Sequence, residues 1–326
     1  MRNGPHRSAV LWEPIPQKGA MGEAQTQRSS IVDTVVGLAY EIRPWQWYKQ
    51  SVLLIGIVFS RELFNPAAWS QVVLGVLAFC AIAGATYIFN DISDVEADRK
   101  HPTKRNRPIA SGQVSVTTAG AFAVALLAGG FVLSYALGRL FLIVVLTYIA
   151  QNVLYSLYLK DVVLVDVMLI AIGFVLRAVA GVVAIGVALS PWLVVCTFLA
   201  ALLLAIGKRR NEFEASDLPG ETRATLEEYT PETLDQLLGI VTSTLLISYS
   251  IYTFTGAKLA MMLTLPFAFF GVFRYHHLVH TTDSGVSPEV LLIDRQFILN
   301  LALWGLIAVI VLYGRPRAWL VGAGVV

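Results

Sequence analysis

The sequence predicts an all-α membrane protein, a single bundle of nine transmembrane helices. Three observations predict it. Residues of the AVILMFWYC set make up 56% of the 326-residue chain and charged residues only 14%, whereas soluble domains are roughly 25% charged. Mean hydropathy is +0.67. Charge-poor runs recur along the chain, and a helix needs about 20 mainly apolar residues to cross a bilayer. A water-soluble globule is excluded on these grounds, and a formal net charge of +2 offers no bulk field for nucleic acid.

Residues 1–30 come first and read as a poorly ordered polar tail. They contain Pro, Gly and Ser and lack the apolar core of a secretory leader. Residues 31–326 are expected to form a single transmembrane domain. Its spans are 47–64, 69–90, 116–137, 140–159, 162–186, 191–207, 234–254, 258–273 and 294–314. Arg61 and Glu62 interrupt the first, and the eighth is short for a crossing. Small residues such as Gly75, Ala81, Gly84, Gly173, Ala178 and Gly181 suit close helix packing in lipid. Cys80 and Cys196 sit in apolar runs, where a thiol acts as a small hydrophobe, so no structural disulfide is expected.

Orientation follows from the basic residues. With the tail inside, seventeen of them fall on the cytoplasmic side and five on the other, with Arg177 and Arg295 inside or beside spans. The N-terminus is therefore expected in the cytoplasm and the C-terminus outside, in the plasma (inner) membrane. Two cytoplasmic loops, at about 91–115 and 208–233, are long and charged. Chemistry is expected in these two loops, which should face each other.

The second span ends in Asn90-Asp91-Ile92-Ser93-Asp94-Val95-Glu96-Ala97-Asp98. On a continuing helix Asp91, Asp94 and Asp98 lie at i, i+3 and i+7 and share a face. Such a stripe repels itself unless a cation sits within it, and oxygen ligands beside a phosphate suit magnesium. A solvated helix end is the plainer reading. The next loop holds Arg99 and Lys100, then Lys104, Arg105 and Arg107 between Pro102 and Pro108, which break the helix and let the cations between them fold back over the acids. Taken alone, that basic cluster also fits a topology signal or an anionic-lipid contact.

At the second loop, Gly207-Lys208-Arg209-Arg210-Asn211-Glu212-Phe213-Glu214 places three cations in a row, with Asp217 beyond. Arginine offers a planar fork for phosphate oxygens and lysine a compact charge. A positive-inside anchor is the alternative. Arg177 lies well inside a span, where a charge costs about 2.5–3.5 kcal/mol, so it should face the interior and meet an anion or a carboxylate such as Asp166. Lys49 and Lys160 lie at the interface, where they either bind or snorkel. His276, His277 and His280 have helical spacing without a carboxylate cluster and read as a polar interface.

The stretch 90–112 resembles the first aspartate-rich motif of the UbiA superfamily of intramembrane prenyltransferases, Asn-Asp-x-x-Asp-x-x-x-Asp before a basic, proline-containing loop. The nine-span layout is similar along nearly the whole chain. The resemblance implies that Asp91, Asp94 and Asp98, with Asn90, hold Mg2+ on a substrate diphosphate. Where most of that superfamily carries a second aspartate-rich cluster, this chain has Lys208-Arg209-Arg210-x-Glu212. That signature looks like the decaprenyl-phosphate phosphoribosyltransferase branch, as do the stretches 43–49, 101–105, 155–160 and 173–178.

Membership of that branch implies transfer of 5-phosphoribosyl from 5-phosphoribosyl 1-diphosphate (PRPP) to a polyprenyl phosphate such as decaprenyl phosphate, for cell-wall arabinan. Lys49, Lys104, Arg107, Tyr155, Lys160, Arg177, Lys208, Arg209, Arg210 and Glu212 are the expected substrate-binding residues. A donor with a second phosphate needs a second cationic pole. One competing reading is a prenyl diphosphate donor with an aromatic acceptor. The other is a lipid or ion transporter, which would place ionisable residues at mid-span, whereas here they cluster at span ends. A homo-oligomer stays open.

Overall fold

The computed structural model describes residues 31–214, 224–255, 259–281, 291 and 293–314. The 1–30 tail, Asp217 and Lys258 lie outside that set. Eight helices are long and apolar enough to cross a membrane: Pro66–Ser93, Val116–Ala136, Arg139–Leu159, Val165–Ala184, Pro191–Glu214, Pro231–Thr255, Leu259–Thr281 and Arg295–Tyr313. The chain is a multi-span membrane protein.

The chain opens with α1 (Ile31–Glu41), followed by a 3-10 helix, Pro44–Leu53, that runs directly into α2 (Leu54–Phe59). This composite covers most of the first expected span, 47–64, but is not one of those eight helices, so eight stand among the described residues where nine were expected. A 3-10 helix rises about 2.0 Å per residue and an α-helix about 1.5 Å, so the sixteen residues cover about 29 Å, close to a hydrocarbon thickness of about 30 Å. Contacts flank both of its ends. Arg43 meets Asp91 at one end of α3 (Pro66–Ser93), and at the other the Trp69 indole donates to the Leu63 carbonyl at 2.7 Å. Gly181 seats the composite on α7 (Val165–Ala184): a Cβ there would run into the Leu53 carbonyl.

The other helices begin and end for local reasons. The Asn65 side chain accepts from the amides of Ala67 and Ala68 ahead of Pro66 at the first turn of α3. Beyond α4 (Val95–Lys100), Pro102 ends helical structure. Ser115 caps α5 (Val116–Ala136), and Gly138, at φ 111°, turns the chain into α6 (Arg139–Leu154). A π-helical turn, Tyr155–Leu159, extends α6, a feature frequent at functional sites.

The sixth span runs further than the sequence suggests. As α8 (Pro191–Glu214) it keeps Lys208–Arg210 helical instead of releasing them into a loop. Ion pairs Lys208–Glu212, Arg209–Glu212 and Arg210–Glu214 at i+3 and i+4 spacing hold the extra turns. Next come α9 (Pro231–Thr255), α10 (Leu265–Thr281) and α11 (Arg295–Tyr313). Arg274 and the three histidines lie within α10, not in the connection after it. His276 and His280 stack at 4.5 Å, and His280 lies 3.2 Å from Asp235 on α9.

The largest core joins α7, α8, α9 and α10 through Leu199, Leu203, Ile206, Leu238 and Tyr275. A second packs α2, α3, α6 and α7 around Leu53, Ile57, Phe79, Phe141 and Tyr148. Cys80 and Cys196 are both unpaired.

Candidate active site

Backbone hydrogen bonds carry α3 almost continuously into α4, Asp94 N–H to the Asn90 carbonyl at 2.9 Å and Asp98 N–H to the Asp94 carbonyl at 2.8 Å. Asp94 itself sits at the joint, with φ −94° and ψ 5°. Asp91 and Asp98 remain together and buried, while Asp94 is exposed and Asn90 is half-buried.

The cations among the acids come from the chain. Arg43 Nη2 donates to both oxygens of Asp91, at 2.8 and 2.7 Å. Arg107 Nη1 bridges Asp91 at 2.8 Å and Asp98 at 2.6 Å, so the basic loop does fold back as expected. Arg43 also stacks over the Tyr87 ring, 4.9 Å from its centroid. Its backbone is left-handed, at φ 49° and ψ 63°, which strains any residue but glycine and is a conformation found at functional sites.

Glu41 completes this end. Buried at the end of α1, it accepts from the Ile109 amide at 3.0 Å. Burial first, then its hydrogen bond to Asp91 and that neighbour's charge, push its pKa up from 4.5 to about 8. That shift favours the protonated form beside Asp91.

These residues fit a divalent cation on the chemistry of the donor set. Asp91 and Asp98 already direct oxygens at one shared cationic atom, Arg107 Nη1, and oxygen ligands are what magnesium takes. Among the described residues no group of three or more His, Cys, Asp or Glu side chains converges as a ready metal cage. Two carboxylates with water and substrate oxygens suit magnesium better than a protein cage does.

One to two helical turns along α3 from Asp91 lies a small polar cavity of about 150 Å3. Lys49, Tyr87, Gln151, Tyr155, Phe174 and Arg177 are among its lining residues. Arg177 is buried there. Its Nε donates to Gln50 Oε1 at 2.9 Å, Nη1 to the Gly173 carbonyl at 2.9 Å, and Nη2 to the Tyr148 hydroxyl at 2.7 Å. Three of its five N–H donors are thereby used. Asp166 is not its partner. Lys49 donates to Gln46 at 2.9 Å.

Phe174 also lines a second cavity, apolar and about 680 Å3, bounded by α2 and by α7 through α11, with Phe59, Trp192, Tyr252 and Trp304 in its wall. The two cavities share that one ring.

The Lys208–Arg210 trio behaves differently from the sequence expectation. Arg209 is 2% exposed and donates to Asp166 at 2.7 Å and to Glu212 at 2.6 Å. Tyr229 adds its hydroxyl to Asp166 at 3.3 Å. Arg210 is held by Asp235 and Glu214. These two arginines brace α8 against α7 and α9. Lys208, 48% exposed and 3.7 Å from Glu212, is the open member. Lys104 and Lys160 are exposed. Tyr155, on the π turn, borders the small cavity and lies within electrostatic reach of Arg209.

Glu41, Arg43, Gln50, Tyr148 and Gln151 were not among the expected site residues. Arg43 lies 48 residues from Asp91, and no local spacing signals such a pair.

Residues 51–304 match the UbiA prenyltransferase family. The chain is 33% identical over 292 residues to the decaprenyl-phosphate phosphoribosyltransferase of Corynebacterium glutamicum, covering 86% of this chain and 88% of the relative. The protein of the same name from Mycolicibacterium smegmatis is 31% identical, with 86% and 94% covered. A UbiA homolog from Archaeoglobus fulgidus, solved bound to GPP and Mg2+, shares the fold with a TM-score of 0.64 at 20% identity, over 85% of this chain and 99% of that one. A match over most of the sequence, relatives of this identity nearly end to end, and the common helical fold mean that the chain belongs to the UbiA prenyltransferase family.

Proposed function

We propose that the protein transfers 5-phosphoribosyl from PRPP to a long polyprenyl phosphate such as decaprenyl phosphate, releasing diphosphate, with Mg2+ as cofactor. The observation that carries this reading is the Phe174 ring common to a polar cavity with Lys49 and Arg177 and a large apolar cavity. A water-soluble donor and a lipid acceptor need such adjoining compartments. The names of the corynebacterial and mycobacterial relatives point to the same two substrates.

Asp91 and Asp98, with Asn90 and Asp94 beside them, would hold magnesium against the donor diphosphate. When bound, the metal neutralises charge gathering on the leaving diphosphate. Arg43 and Arg107 present planar forks to the remaining diphosphate oxygens. Lys49 and Arg177 form the second cationic pole, for the 5-phosphate, with Lys104, Lys160 and Lys208 at the entrance.

The acceptor is a phosphate monoester with a second pKa near 6, already an anionic nucleophile at neutral pH. No strong general base is needed. Attack of its oxygen on ribose carbon 1 breaks the bond to diphosphate through an oxocarbenium-like state and inverts that carbon. The protein's task is alignment of the two reactants.

The catalytic unit is the transmembrane domain from residue 31 onward. In this reading the Asp91 end faces the cytoplasm of a plasma-membrane enzyme, where the donor is dissolved, and the C-terminus lies outside. Membranes containing the protein, given labelled PRPP and polyprenyl phosphate, should form labelled lipid only with Mg2+. Consumption of labelled prenyl diphosphate with no labelled lipid from PRPP would instead establish a prenyl donor.

A further inference from the structure

Gln151 stands out within the small polar cavity. Its Nε2 donates to the Leu169 carbonyl at 2.8 Å, which fixes the amide orientation, since a flipped amide would set two acceptors against each other. Its Oε1 is then a buried acceptor with no hydrogen-bond partner. Such an atom is costly to leave unmet and rare in folded proteins unless a water or ligand serves it.

Its surroundings say what kind of donor is missing. Gly173 lies opposite, and a Cβ there would fall 3.5 Å from both Gln151 Oε1 and Arg177 Nη1, so the absent side chain leaves room between acceptor and cation. The cavity lining brings Lys49, Tyr155 and Arg177 to the same space. At about 150 Å3 the space suits a single sugar ring and is far too small for an isoprenoid chain. A carbonyl oxygen accepts hydrogen bonds, so phosphate oxygens are excluded as its partner and a hydroxyl is admitted.

We infer that Gln151 is a specificity residue whose Oε1 accepts a hydrogen bond from a ring hydroxyl of the ribose in the donor. The inference rests on the phosphoribosyl reading above and deepens it. A prenyl diphosphate carries no hydroxyl, so its binding would leave Oε1 desolvated and unmet. Rejection of that donor is then built into the cavity, because a site made to hydrogen-bond a hydroxyl discriminates strongly against ligands that lack one.

The test is a cycle between variant and ligand, read as competitive inhibition constants against PRPP so that altered reactivity at carbon 1 does not intrude. For wild type, either the 2-deoxy or the 3-deoxy analogue of PRPP should bind about 10- to 100-fold more weakly than PRPP, the range of one buried hydrogen bond. In Gln151→Met that penalty should vanish while the penalty at the other hydroxyl persists. An equal penalty in both proteins, or none in wild type, overturns the inference and leaves Oε1 to a structural water.

A second measurement needs no variant. Fluorine in place of the relevant hydroxyl cannot donate, so the fluoro analogue should bind wild type no better than the deoxy one. Binding as tight as PRPP would overturn the assignment. Failure of wild type to label lipid from PRPP is a separate result and would remove the underlying function itself.

Discussion

Arg43 holds both carboxylate oxygens of Asp91, at 2.8 and 2.7 Å, from a backbone turned into the left-handed region. The strain and the fork belong together, since the turn between α1 and the 3-10 helix aims the guanidinium at the end of α3. Arg43→Ala should lower kcat/KM for PRPP about 10- to 100-fold, the worth of a charge-assisted pair. Arg43→Lys should recover part of the rate, because both contacts run through the one nitrogen Nη2, whose place an ammonium can take. Arg43→Gly should be equally inactive yet about 1 kcal/mol more stable than the alanine variant, as glycine accepts the positive φ. Equal stability of the two would remove the strain from the account.

The three aspartates should separate in their effects. Asp91→Asn and Asp98→Asn each remove an oxygen that now faces a shared cation, and turnover should fall about a hundredfold or more. Asp94→Asn alters an exposed group at the joint of α3 and α4. It should mainly raise the Mg2+ concentration needed for half-maximal rate. Magnesium titrations of the three variants measure this, and a fully inactive Asp94→Asn with active partners would reverse the assignment.

Glu41 makes a pH prediction. Its pKa rises from 4.5 to about 8 in the folded chain, through burial and then Asp91. The folded state therefore holds this proton where the unfolded state has lost it, and stability falls as pH climbs between those two values. Below the lower value and above the higher one, its contribution is level. Glu41→Gln removes the titration, so its Tm in detergent should decline less from about pH 5 to pH 8 than that of wild type. Parallel curves would refute this.

Arg209 and Lys208 are adjacent in sequence and opposite in role. Arg209→Ala strands Asp166, fully buried, and should cost about 3–5 kcal/mol of stability. Arg209→Met combined with Asp166→Leu should cost much less, because neither charge is left alone. Lys208→Ala should leave Tm unchanged and raise the KM for PRPP severalfold, about what one surface phosphate contact contributes. Unfolding curves beside steady-state kinetics distinguish the two.

The spans were legible because lipid imposes one rule on every residue of a crossing. The exception is instructive. Residues 44–59 take up the place of the first expected span partly as a 3-10 helix, and composition carries no signal for pitch. Asp91 and Asp98 were legible from local spacing, and so was Arg107, whose proline-bounded loop had to return. Arg43, Glu41 and Gln50 were not, because each reaches its partner through the packing of separate helices. The run Lys208–Arg210 shows a related limit. A cation's sign is readable in sequence, but Asp166, 43 residues away from Arg209, decides whether it is available.

The ring of Phe174 separates two ways of being dilute. In the proposed reading a sugar phosphate on one face is counted by molarity in three dimensions, and a lipid on the other by mole fraction in two. For the transferase proposed here, adding inert lipid would thin the acceptor while leaving the donor untouched, so a single rate law would respond to the area of the membrane as well as to the volume of the cell.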